Sequence, residues 1–168
     1  MPISMTPEEY YEAFTLGNYE DFKENPRCVR RAFNAAIAAS HLADHYFNYY
    51  KKQGSPRVSM YGSIGNYVEY ISGNTKGYFR DIRSIANAYK HLYTGINKSH
   101  AKHSSISSAG TIERAQFIDE EIEQVSDGPT EDNTSEYVVG YTKKSGEKLE
   151  FMPTLKAVID FWQGELFR

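Results

Sequence analysis

The chain of 168 residues has a single cysteine, Cys28, which excludes an intramolecular disulfide and any scaffold held together by cross-links. No run approaches the roughly 18 apolar residues needed to cross a bilayer. The opening Met1-Pro2-Ile3-Ser4-Met5-Thr6-Pro7-Glu8-Glu9 has neither the basic start nor the apolar stretch of a secretory leader. These absences predict a cytoplasmic protein with no membrane partner. A Gly-rich phosphate loop and Gly-x-Ser-x-Gly are both missing, so nucleotide-cradling and nucleophile-elbow chemistry have no template. Internal repeats are missing too. At this length one domain can bury about two thirds of its unfolded surface and hold its own core. The fourteen tyrosines exceed what the length predicts, but tyrosine serves cores and interfaces alike.

A net charge of -3 hides a segregation. From Lys51 to Lys102 nine Lys or Arg face only Glu69 and Asp81, whereas from Ile112 to Glu136 nine acids face only Arg114. A basic middle between acidic segments either presents a patch for phosphates or pairs with acidic groups of its own chain.

Periodicity and turn chemistry predict an α+β chain, mostly α: an up-and-down helical bundle over 6–95, a loop-rich acidic segment over 96–136, and a C-terminal β-hairpin with a closing helix over 137–168. Thr6-Pro7-Glu8-Glu9 is a capping box that starts the first helix. This helix is expected to break at Gly17-Asn18 and resume to Glu24. Arg27 to Lys52 is the clearest long helix, burying Val29, Ala32, Phe33, Ala36, Ala43, Phe47 and Tyr50. Helices follow over Tyr61 to Ile71 and over Arg80 to His91, the latter burying Tyr78, Ile82, Ile85, Ala86, Tyr89 and Leu92. Asn97 to Gly110, rich in Ser, Lys and His, reads as an exposed loop or a loosely held strand and a poor candidate for core. Thr111 to Val125 places Ile112, Ala115, Ile118, Ile122 and Val125 at helical intervals and reads as helix, with short edge strands as the alternative. Tyr137 to Tyr141 and Lys148 to Phe151 flank Lys143-Lys144-Ser145-Gly146 as a hairpin. Pro153 opens a final helix with Leu155, Val158, Ile159, Trp162 and Leu166 on one face.

Two helices carry polar stripes. At about 100° per residue, Arg80 and His91 lie within roughly 20° of one another, with Arg83 and Asn87 on the same edge. Upstream, His41, Asp44, His45 and Asn48 recur at i, i+3, i+4 and i+7. His41 and His45 have the spacing that lets two imidazoles reach one ion, Asp44 can ligate or orient a ring, and His91 on a facing helix would complete the set. The cofactor of that reading is a divalent transition metal, although the chain lacks the Glu-x-x-His repeats of di-iron bundles and a His-Glu-x-x-His. Alternatively the same residues form a hydrogen-bond network that fixes the register of the two helices, with Asp44 paired to Arg83 or to a protonated His as the obvious ion pair. Cys28 sits beside Arg27, Arg30 and Arg31 on the side expected to be buried.

Asn87-Ala88-Tyr89-Lys90-His91, on an amphipathic helix of a mostly helical chain, resembles the C-terminal half of the Arg-Asn-x-x-x-His motif of HEPN-domain proteins. The resemblance implies a helical bundle, often dimeric, and in many members a metal-independent ribonuclease. It implies His91 as general acid or base, Asn87 as an orienting group, and Arg83 or Arg80 stabilising charge on the phosphate. The position of the family's arginine holds Ala86. The pattern from Asp81 to His91, with a His-x-x-Asp upstream and a Phe-Trp near the C-terminus, is also similar to a group of uncharacterised bacterial proteins. The leading reading is a non-catalytic module that binds RNA or a protein partner, or pairs as a homodimer; a ribonuclease and a metal-binding bundle are the alternatives.

Overall fold

The computed structural model describes residues 4–91, 105–106, 112–115 and 138–168, the side chains of 89–91 and 113–115 excepted. The chain begins where Thr6 caps α1 (Pro7–Tyr10): its hydroxyl accepts from the Glu9 amide at 3.1 Å, and the Glu9 carboxylate accepts from the Thr6 amide at 2.7 Å. The expected break at Gly17 does not occur. A π-helical stretch (Tyr11–Leu16) leads directly into α2 (Gly17–Glu24), with Gly17 at helical φ -58. The wider i→i+5 turn keeps Tyr11, Thr15 and Tyr19, four residues apart, on one buried face. Burying them, with Phe22, outweighs the roughly 1 kcal/mol that a mid-helix glycine costs.

Helix α3 (Val29–Lys52) is the centre of the molecule and packs against α2, α6 and the final helix. Five alanines, Ala32, Ala35, Ala36, Ala39 and Ala43, are almost wholly buried along it, so neighbouring backbones come close. Val29 and Tyr50, expected on that face, are only half-buried. Gly54, at φ +62, turns the chain out of α3. After the short α4 (Pro56–Ser59), Gly62 at φ +71 and a Ser63 cap delay α5 (Ile64–Asn74) by three residues from the expected start at Tyr61. Lys76 and Gly77, both at positive φ, reverse the chain into α6 (Tyr78–His91). Helix α6 buries Phe79, Ile82, Ile85 and Ala86, whereas Tyr78 is half-buried.

Three strands form one antiparallel sheet in the order β1 (Ile112–Ala115), β2 (Val138–Thr142), β3 (Lys148–Glu150). The β2–β3 hairpin closes around Gly146 at φ +87, as its turn sequence predicts. Strand β1 corrects the helix expected over Thr111 to Val125 at its first residues: Ile112 pairs with Tyr141 across the ladder and is buried. The apolar spacing there suits either structure, and the free edge of β2 decides it. Ile106 is buried at 2 % exposure, which corrects the reading of its surroundings as unsuited to core. The Ser105 carbonyl accepts from the Lys144 amide at 2.8 Å and ties this point to the hairpin. The rest of that loop, the helix expected over the remainder of Thr111 to Val125, and the acidic run lie outside the described residues.

Helix α7 (Phe151–Leu166) starts two residues before Pro153, which is tolerated because first-turn amides have no partner inside the helix. Leu155, Val158, Ile159, Trp162 and Leu166 are all buried, as expected. One buried cluster joins the helices to Ile112, Val139 and Tyr141 of the sheet, so the fold is α+β, mostly α, around a shared core. Leu42 is fully buried at the middle of α3. Replacing it with alanine should lower unfolding free energy by about 3 kcal/mol in a urea titration, from lost transfer energy plus a cavity.

Candidate functional site

The α3–α6 interface brings part of the two polar stripes together. Arg83 donates to Asp44 through both terminal nitrogens, Nη1 to Oδ2 at 2.9 Å and Nη2 to Oδ1 at 3.2 Å. One turn earlier on α6, the Nη2 of Arg80 lies 2.8 and 2.7 Å from the two carboxylate oxygens of Glu69 on α5. Asn87 is half-buried one turn beyond Arg83, and His91 ends the helix with its side chain outside the described part. The ion pair foreseen between Asp44 and Arg83 is therefore present, and both guanidiniums of the stripe are neutralised by neighbouring helices.

The upstream stripe divides. His45 turns to the N-terminal segment, where its Nε2 lies 2.8 Å from the Met5 carbonyl oxygen and its ring sits 5.3 Å from that of Tyr10. His41 is exposed. Among the described residues no group of three or more His, Cys, Asp or Glu side chains is arranged to hold a metal ion, so His41, Asp44 and His45 do not converge. Helical spacing puts side chains on one edge, but whether they meet depends on what packs beside each, and here Asp44 and His45 face different neighbours. Cys28, expected on a buried side, is half-exposed at the start of α3. Backbone amides there, that of Arg31 foremost, hold its thiol below the ordinary pKa against the opposing effect of desolvation.

Two polar constellations escaped the sequence reading. The first is buried: Asp81, 2 % exposed, accepts from the Tyr141 hydroxyl at 2.8 Å and lies 3.8 Å from the Lys143 ammonium. Tyr141 is also 3.1 Å from the Thr154 hydroxyl, which reaches the Glu150 carbonyl at 3.1 Å. Burial raises the Tyr141 pKa; the Thr154 hydrogen bond opposes this and the Asp81 charge adds to it. Ser84, the next turn of the same helix face, donates to the Arg80 carbonyl and accepts from the Ser105 amide at 3.0 Å. These contacts fasten the sheet to α6 and α7. Helical spacing does carry a signal, since Asp81 shares an arc with Ile85 and Ser84, but its charge suggests solvent.

The second is a gathering of tyrosines. Tyr46 stacks on Tyr67 with ring centroids 5.4 Å apart and meets Tyr50 at 4.8 Å, while Tyr61 touches Tyr67 at 5.1 Å and Tyr70 at 5.0 Å. At one end Tyr50 donates to Glu8 at 3.0 Å, beneath the Arg57 guanidinium 4.9 Å from its ring. Burial, with the Glu8 hydrogen bond, pushes the Tyr50 phenol up to about 12; burial, with the neighbouring Tyr70, does the same for Tyr61. A scan of family models, a search of curated proteins and a search of solved structures return no match to the chain.

Two measurements follow from this geometry. Asp81→Ala leaves a buried phenol and Lys143 without their anion and should destabilise by about 3 kcal/mol. Asp44→Ala, at a half-exposed pair, should cost no more than about 1 kcal/mol in the same urea titration. The raised phenols favour the neutral form in the folded state, so their stabilisation is complete below the free value of 10.0 and is lost as pH rises through about 12. An ultraviolet phenolate titration should therefore show an early group of tyrosines near pH 10 and a late group that ionises together with alkaline unfolding.

Proposed function

We propose that the chain is a non-catalytic interaction module built on a HEPN-like bundle. The observation that carries this reading is the bidentate neutralisation of Arg83 by Asp44, together with the pairing of Arg80 and Glu69. Phosphoryl chemistry at His91 would need a cation aimed at the developing charge. Each arginine of the stripe instead faces a carboxylate of its own chain, and the position of the family's arginine is the buried Ala86. Such an arrangement favours a protein partner over a polyanion, whose binding requires uncompensated basic charge.

The test compares wild type with His91→Ala on single-stranded and hairpin RNA, following cleavage by gel and binding by fluorescence anisotropy. Neither protein should cleave, and their anisotropy titrations should coincide within about twofold. RNA cleavage that is lost in His91→Ala would overturn the reading in favour of a metal-independent ribonuclease that uses His91 and Asn87. Tight, salt-dependent RNA binding without cleavage would shift the partner to nucleic acid.

A further inference from the structure

The tyrosine cluster closes around a buried carboxylate. Tyr46 from α3, Tyr61 from the turn before α5, Tyr67 and Tyr70 from α5 and Trp162 from α7 pack against one another, with Trp162 5.9 Å from Tyr46. Glu165, one turn beyond Trp162, is 7 % exposed. Its Oε2 accepts from the Tyr70 hydroxyl at 3.4 Å and pairs with the Arg168 guanidinium, which also donates to the Tyr70 oxygen at 3.1 Å. The Arg168 side chain is 63 % exposed, so this cation enters the cluster from solvent.

Two polar atoms of the cluster have no hydrogen-bond partner among the described residues: Tyr67 Oη and Trp162 Nε1, both on wholly buried side chains. The Tyr67 ring packs against those of Tyr46, Tyr61 and Tyr70, with centroids 5.4, 5.1 and 6.1 Å away. Buried polar groups without partners cost about 1–3 kcal/mol each. Retaining two in one aromatic cluster, each on a ring that packs against Tyr46, points to a ligand that supplies what they lack. Electron-rich ring faces around a desolvated carboxylate recognise a cation. Nη2 of Arg168 reaches the Glu165 carboxylate and the Tyr70 oxygen together, and a guanidinium carries further N–H donors in the same plane for other acceptors of the cluster.

We propose that this cluster is a binding site for a guanidinium group, occupied in the resting protein by Arg168, and that a guanidinium-bearing ligand displaces Arg168 from Glu165. An inserted N–H satisfies Tyr67 Oη. Trp162 Nε1 is a donor only and needs an acceptor, which the amide carbonyl of an arginine in a polypeptide provides and a bare guanidinium does not. The site stands apart from the interaction-module reading; only the assignment of the ligand to a partner's arginine rests on it.

Trp162 is the only tryptophan in the chain, so its fluorescence reports on the cluster. The full chain is titrated with N-acetyl-arginine amide, with agmatine, which lacks the carbonyls, and with N-acetyl-lysine amide as control. A saturable change with the arginine amide is expected, with agmatine weaker and the lysine derivative silent. Arg168→Ala removes the internal competitor and should tighten binding about fivefold, because the open site becomes the dominant state. Glu165→Gln should weaken it about tenfold by removing the charged acceptor. Should Glu165→Gln lose its fold by circular dichroism, Arg168→Ala still decides. An unchanged affinity in that variant, or no saturable response in it or in wild type, overturns the site. An equal response to the lysine derivative overturns the guanidinium assignment. Agmatine binding as tightly as the arginine amide leaves the site intact and removes the partner polypeptide as its source.

Discussion

Close approach between α3 and α6 governs the placement of every other group described above. It is made by small side chains: with alanine at 32, 35, 36, 39 and 43 buried, the backbone of α3 meets its neighbours without large residues holding them apart. Larger side chains of α6, Phe79, Ile82 and Ile85, fill the remaining space. This seam puts Asp44 opposite Arg83. Further along α3, Tyr46 and Phe47 meet Tyr67 of α5. A bulky residue among these buried alanines would push a neighbouring helix outward.

Charge is handled differently at the surface and inside. The pairs Arg80–Glu69 and Lys156–Asp160 are exposed, where water screens most of the attraction. Asp81 is not screened, and its removal from water is offset only because a phenol and an ammonium converge on it from the sheet. The sheet contributes few residues to the core, so this polar contact is what fixes its orientation on the bundle. Glu165, near the end of α7, is the counterpart, with the difference that its cation comes from an exposed side chain.

Much of the candidate site was legible as a pattern and much less as a contact. The stripe from Arg80 to Asn87 and the one from His41 to Asn48 follow from residue spacing alone, and the Asp44–Arg83 pair follows from their facing each other. That His45 serves the N-terminal segment does not follow, because Met5 and Tyr10 lie far from it in the chain. The tyrosine excess was visible in composition but without meaning, since its members come from separate segments. Asp81 was hidden by the ordinary association of charge with solvent, which fails wherever partners arrive from a distant strand.

Local chemistry determined the helices, their caps and the hairpin: the capping box at Thr6, the Ser63 cap, the positive-φ glycines at 54 and 146 and the apolar face of α7 act within a few residues and need no partner. Tertiary structure decided what such signals leave balanced. Gly17 stays helical because Tyr19 and Phe22 are buried against the core, and Ile112–Ala115 becomes a strand because β2 offers it an unpaired edge. The same holds for which polar residues meet. Hydrogen bonds and ion pairs form between groups brought within about 3 Å, and that proximity is set by packing between segments remote in sequence.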